Sequence, residues 1–333
     1  MHIEHMDKYV IATDTFDQVN GVSTTYKNIL KVSKRNIEII HPSQFKYKSF
    51  KSYPEIQFCT EPIKVFKKIK AIKPTHLHIA TEGPIGMAAR IYCKFYKVPF
   101  TSAYHTKFPE YLNIYFRLPV KFGYFLMRLF HKKSNAVLVP TNSCINDLKK
   151  FGFKNLALWT RGVDKELIKK RINQKSNKKI KVLSVGRIGK EKNLDALCSL
   201  HQYFNITIVG DGPELENLKS KYSNINFVGY KFGKELAELY SKHDVFCFPS
   251  KTDTFGIVII EALCNGLPVA AYNVTGPKDI VKNKITGFLG NDLKKNIIQC
   301  SDLNKTEIQQ VSIQKWSWRE CEKILFNNLL KIN

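Results

Sequence analysis

Acidic residues are scarce in this sequence: 28 Asp and Glu stand against 53 Lys and Arg, a formal net charge of +25. The 8 cysteines (Cys59, Cys93, Cys144, Cys198, Cys247, Cys264, Cys300, Cys321) form no C-x-x-C pair. That argues against a zinc cluster and against a disulfide framework. Several lie in apolar patterns, where Cys acts as a small hydrophobe, and a reducing cytoplasm is expected. No Asp-x-Asp triplet and no His or Cys pair at ligand spacing occurs, so no metal is expected. No Walker pattern occurs, which disfavours P-loop phosphoryl transfer. No apolar run approaches the ~20 residues of a membrane span. The first residues, MHIEHMDKYVIATD, lack the basic and long apolar regions of a signal peptide.

What is present is a globular composition. The chain has 333 residues, 44% of them hydrophobic, enough for two domains with substantial cores. The positive charge predicts attraction to a polyanion, whether anionic membrane, nucleic acid or phosphorylated substrate; solvated Lys from an AT-rich genome is the plainer reading.

Strand and helix patterns alternate along the chain. Tyr9 to Thr13 reads as a strand, followed by a turn at Gly21 and a helix to about Val32. Strand patterns recur at 37–41, 75–80, 99–104 and 136–140. Residues 45–58, FKYKSFKSYPEIQF, read as an exposed basic and aromatic loop, and 61–72 as an amphipathic helix. The helix pattern at 118–133 is rich in Phe, Tyr, Leu and Met, with Arg117, Lys121, Arg128, Lys132 and Lys133 around it. It fits a core helix with a basic rim and, alternatively, an interfacial helix. A Lys-rich stretch ending at Lys179 is the linker candidate, and the alternation restarts at Lys181. The expected fold is α/β: two Rossmann-like domains facing each other across a cleft. The boundaries expected are 1–164, 165–312 and a final helical segment, 313–333, crossing back to the first domain.

One stretch organises the second half. Val245 to Ala271, VFCFPSKTDTFGIVIIEALCNGLPVAA, reads as strand, turn, helix and strand, a βαβ crossover. Asp253 precedes the helix and Glu261 lies on it. A helix N-terminus suits a phosphate, and a carboxylate further along suits a ribose, so the local reading is a nucleotide site. Arg187 and Lys192 follow the first strand of the same half and could neutralise a diphosphate; a solvated pair is the bland reading. His105 ends a strand of the first half, where open parallel sheets bind ligands.

TDTFGIVIIEALCNGLPVA resembles the E-x7-E region of retaining glycosyltransferases of family 4, which have the GT-B fold. VGRIGKEKN and VGDGPELENL are similar to neighbouring motifs of that family. TDTFDQVNGVSTT, HIATEGPIGMAAR, TSAYHTKFPEYL, VLVPT and TRGVD resemble a narrower branch, the GDP-mannose-dependent α-mannosyltransferases and sulfoquinovosyl-diacylglycerol synthases. The resemblance implies that Gly21 lies against the donor diphosphate and His105 near the donor sugar. It implies that Arg187 and Lys192 bind the diphosphate and Asp253 the sugar hydroxyls. The backbone of Phe255, Gly256 and Ile257 would supply N–H groups, and Glu261 would bind the ribose. Asp253 departs from the usual Glu, which bears on the choice of donor sugar.

The expected activity is retaining transfer of a hexosyl group from a nucleotide sugar, with mannosyl from GDP-mannose and a membrane lipid or glycolipid acceptor as the first expectation. A UDP-sugar and a lipopolysaccharide-core or polysaccharide acceptor form the alternative. Neither a cofactor nor a metal is expected, and the setting is the cytoplasm, peripherally on the inner face of an anionic membrane. A basic nucleic-acid-associated Rossmann protein is the reading from another class, but no RNP-like motif occurs, so nucleic acid is not the expected partner. A sugar-nucleotide epimerase is a third option.

Overall fold

Short strands buried on both faces set the architecture of the computed structural model, which describes residues 7–50, 53–170 and 179–330. Strand Val245–Phe248 shows the principle. All four side chains are buried; Phe246 and Phe248 enter one core, Val245 and Cys247 the other, as the two-residue period of a strand requires.

The chain divides into two compact units. The first comprises residues 1–160 and 318–333, the second 161–317. In chain order the first contains β1 (Lys8–Ala12), α1 (Gly21–Val32), β2 (Asn36–Ile40), β3 (Tyr47–Phe50), β4 (Tyr53–Cys59), α2 (Pro62–Ile72), β5 (His76–Ile79) and α3 (Pro84–Tyr96). It continues through β6 (Thr101–Ala103), α4 (Phe108–Phe116), α5 (Val120–His131), β7 (Val137–Val139), α6 (Asn142–Lys150) and β8 (Leu156–Leu158). Its parallel sheet has the order β2-β1-β5-β6-β7-β8.

The second unit holds β9 (Lys181–Val185), α7 (Leu194–Cys198), β10 (Asn205–Val209), α8 (Leu215–Lys221), β11 (Asn226–Phe227), α9 (Gly233–Lys242) and β12 (Val245–Phe248). Then come α10 (Ile257–Cys264), β13 (Val269–Ala271), α11 (Pro277–Ile280), β14 (Gly287–Leu289), α12 (Leu293–Cys300) and α13 (Lys305–Ile313). Its sheet runs β11-β10-β9-β12-β13-β14, also parallel. The chain leaves β1 and β9 on one side and returns to the other at β5 and β12. The strand order therefore reverses at β1/β5 and at β9/β12, where such sheets bind ligands beyond the strand ends.

Several expectations need correction. Within residues 45–58, Tyr47–Phe50 and Tyr53 onward are strand rather than loop: β3 and β4 pair antiparallel, with a register shift at Ser49/Phe50. The pattern at 118–133 starts later, at Val120, and a separate helix, α4, precedes it. Arg117 closes α4 in the left-handed conformation, φ 56°, and Pro119 then leads into α5. The compact units part at Thr160/Arg161, four residues before the boundary expected after Asp164. The start of the linker candidate is packed onto the second unit: Lys169 N donates to Asn265 Oδ1 (2.9 Å), and Gln309 Nε2 to Lys169 O (2.6 Å). The rest of that candidate, 171–178, lies outside the described residues. Of the segment 313–333, Trp316 stays in the second core, edge-on to Phe255 at 5.8 Å. Helix α14 (Trp318–Asn327) packs on the first unit. Glu322 pairs with Arg35 and accepts from Ser33 Oγ (2.8 Å), and Trp159 Nε1 donates to Cys321 O (2.8 Å).

Candidate functional site

In the second unit the loops after β9 and β12 are laced together. Ser250 Oγ donates to Glu191 O (3.2 Å) and Asn193 Nδ2 to Pro249 O (3.1 Å). Lys192 Nζ reaches both Asp253 oxygens, at 2.7 and 3.0 Å, with each side chain about one-fifth exposed. Arg187 Nη1 lies 3.9 Å from Oε1 of the buried Glu191. Arg187, Lys192 and Asp253, named separately from the sequence, thus share one strand edge, and each cation faces a carboxylate.

Gly256 ends the loop. Its φ of 92° suits glycine, and a Cβ there would meet Ile259 Cδ1 at 2.9 Å and Phe248 Cζ at 3.1 Å. That conformation turns the chain into α10, with Ile257 as its first residue. Phe255 is buried against Trp316, which anchors the loop from below. Glu261, on α10, is buried. It is 7% exposed, Tyr240 Oη donates to its Oε2 (2.8 Å), and burial pushes its carboxyl up to about 7 from the ordinary 4.5. A carboxyl so placed is about half ionised at neutral pH, so its use as a ribose acceptor depends on proton release.

In the first unit the direct partners of Gly21 and His105 carry no ion pair, although Lys107, two residues beyond His105, pairs with Asp147 (3.4 Å). Asn20 caps α1 with its side chain, accepting from the Val22 (3.0 Å) and Ser23 (2.9 Å) amides. Gly21 is the first helical residue and is exposed, but those two neighbouring amides are engaged by Asn20. Asp14, after β1, accepts from the Ile85 (2.7 Å) and Gly86 (3.2 Å) amides at the start of α3, and from Thr81 Oγ1 (2.7 Å). Burial pushes its carboxyl above the usual range against the pull of those bonds.

His105 follows β6 and is half-buried. Its Nε2 is 3.0 Å from Tyr26 Oη, which is also 2.8 Å from His78 Nε2; His78 Nδ1 is 2.8 Å from Thr101 Oγ1. Tyr26, His78 and Thr101 are buried, and the Trp159 ring packs against Tyr26, His78 and His105 at 6.0, 6.1 and 5.7 Å. A hydroxyl between two imidazoles donates to one and accepts from the other, so the chain holds His105's orientation and tautomer. Sequence reasoning passed over Tyr26, His78, Trp159 and Tyr240. Only His78, polar in the four-residue buried strand HLHI, carried a visible signal.

Residues 21–167 match the family described as Glycosyltransferase Family 4, and residues 165–298 the family described as Glycosyl transferases group 1. The sulfoquinovosyl transferase SQD2 of Arabidopsis thaliana is 33% identical over 249 residues, 68% of this chain and 49% of that protein. The chain therefore spans about half the length of that relative. A GDP-mannose-dependent alpha-mannosyltransferase of Mycobacterium tuberculosis is 27% identical over 313 residues, 84% of this chain and 82% of that protein. Sucrose-phosphate synthase from Thermosynechococcus elongatus superposes with a TM-score of 0.74 over 97% of this chain and 98% of its own, at 17% identity. That last likeness is one of fold, and the fold is the expected GT-B. With one of these families matched over each half, the chain belongs to the glycosyltransferases of the family 4 and group 1 type.

Proposed function

We propose that this chain is a retaining transferase moving a mannosyl group from GDP-mannose to a membrane lipid or glycolipid, in α linkage, at the inner face of the membrane. The observation that carries the reading is the meeting of Arg187, Lys192 and Asp253 where the strand order of the second sheet reverses. The mannosyltransferase relative supports the donor. The likeness of the first-half motifs to lipid-modifying members of the family supports the acceptor.

In this reading Arg187 and Lys192 take the charge that develops on the departing diphosphate, with the amides of Phe255, Gly256 and Ile257 at the start of α10. Gly21, at the start of α1, approaches the diphosphate through its backbone. Asp253, held by Lys192, contacts sugar hydroxyls, and ionised Glu261 accepts from the ribose. The acceptor hydroxyl attacks on the face that the diphosphate leaves, and a donor phosphate oxygen takes its proton. The anomeric configuration is retained without a protein nucleophile. His105 stands near the sugar.

The test is a donor screen with GDP-mannose and UDP-sugars, membrane lipid extract as acceptor, and mass spectrometry as readout. A mannosylated lipid formed from GDP-mannose, with the α configuration by NMR and unchanged yield in EDTA, is expected. Transfer only from UDP-sugars to a polysaccharide would replace the donor and acceptor, and dependence on a divalent cation would overturn the role given to Arg187 and Lys192.

A further inference from the structure

Helix α5 has two apolar faces. Tyr124 and Met127 point into a core with Tyr104, Val137, Val139, Cys144, Leu148 and Phe153. Gly123 brings α5 hard against α4, since a Cβ there would sit 2.8 Å from Pro109 Cβ, and Tyr124 Oη donates to Glu110 Oε1 (2.7 Å). One side of the helix is thus fully used. The opposite side carries Phe122, Phe125, Leu126 and Leu129, which are 50%, 46%, 40% and 46% exposed. Their spacing (i, i+3, i+4, i+7) is that of a helix stripe made to be buried. Phe116, at the end of α4, is 70% exposed nearby in the chain. A core helix with a basic rim explains the inner side only.

The charge around the stripe says what covers it. Arg117, Lys121, Arg128, Lys132 and Lys133 are all exposed, and no Asp or Glu occurs from Tyr111 to Lys133. The nearest acid in the chain, Glu110, is turned inward onto Tyr124. Contiguous exposed apolar surface of this kind marks an interaction site. A second copy of the chain is a poor occupant, because a self-complementary contact would set these cations against each other. A nucleic acid would satisfy the cations and could stack on Phe122 and Phe125, but would leave Leu126 and Leu129 in water. A bilayer with anionic headgroups answers both, taking the stripe below the headgroups and the cations among them.

We propose that the outer face of α5, continued by the end of α4, docks on an anionic membrane surface. The inference deepens the lipid-acceptor reading and rests on it. The placement is economical for that chemistry, since α4 alone separates α5 from the end of β6, where His105 stands.

Sedimentation with phosphatidylcholine vesicles containing or lacking phosphatidylglycerol tests it, at low and high salt. Wild type is expected to bind only the anionic vesicles, more tightly at low salt. Phe122→Ser with Leu126→Ser should lose at least tenfold in partitioning. A Lys121→Gln, Lys132→Gln, Lys133→Gln variant should lose the preference for anionic vesicles. Wild type remaining in the supernatant at low salt, a serine variant sedimenting like wild type, or a solution dimer that the serine variant dissociates would each overturn the inference. Thermal stabilisation by GDP runs beside every arm. If it persists while vesicle binding fails, only the docking surface is lost; if GDP never stabilises wild type, the transferase reading fails instead.

Discussion

The two sheets reverse their strand order in the same way, yet the residues singled out at that edge are held by different chemistry. In the second unit the edge is ionic: Arg187 opposite Glu191, and Lys192 clamped to Asp253. In the first the direct partners are neutral, with charge confined to neighbours such as Asp14 and the Lys107–Asp147 pair: Asn20 caps α1, and Tyr26, His78 and Thr101 hold His105 from behind. A shared scaffold therefore does not dictate a shared role; the loops do. The ionic edge is suited to a charged leaving group. The neutral edge is suited to aiming one imidazole, and the account assigns the two tasks accordingly.

The largest effect should come from the ionic edge. Arg187→Ala is expected to lower kcat/KM by ~10²–10³-fold, the scale of losing a preorganised charge at a developing anion. Steady-state kinetics with the donor identified in the screen checks this. A loss under threefold would dissolve the contrast between the edges.

Next comes Glu261. Its carboxyl sits at about 7 in the fold against 4.5 ordinarily, raised by burial. Between these values the folded chain keeps a proton that the unfolded chain has released, so stability falls as pH rises from 4.5 to about 7. The swing is about 3 kcal/mol at most, at ~1.4 kcal/mol per tenfold change in proton affinity. Glu261→Gln should flatten that slope in denaturant titrations across the window. Nucleotide affinity in the wild type should rise with pH through neutrality, as the carboxylate that accepts from the ribose forms. An affinity that falls over the same range would contradict the ribose role.

The neutral edge should give the smallest effect, and one of a different kind. Tyr26→Phe keeps the ring packing and removes the link to His105. It is expected to lower kcat roughly 10-fold with KM for the donor unchanged, the signature of misaimed rather than missing chemistry. A matching rise in KM would move His105 and its support into binding, and the two edges would no longer differ.

The contrast also explains what could be read from the sequence. The ionic edge was legible because Arg187, Lys192 and Asp253 are polar residues just past apolar strands, and strand ends carry ligands in such sheets. The neutral edge was not. Tyr26 and His78 sit among apolar helix and strand residues, 52 positions apart, and only the packing of α1 against the sheet brings them together. Glu261 was found, but its burial was not legible, because its cover includes Tyr240, from α9. Helix α5 was ambiguous for a plainer reason: with apolar residues on both sides, its pattern does not say which side is inward. Both parallel sheets were foreseeable from alternation alone. The β3–β4 ribbon was missed because its basic and aromatic residues keep no steady two-residue period across both strands.

The assignment of the donor diphosphate to the ionic edge is the claim on which the rest depends, and calorimetric titration of GDP and UDP into wild type, Arg187→Ala and Tyr26→Phe tests it most directly. The account predicts that wild type binds GDP, that Arg187→Ala weakens binding at least tenfold, and that Tyr26→Phe binds as wild type does. Equal affinity in wild type and Arg187→Ala, or no binding of either nucleotide to wild type, would contradict it.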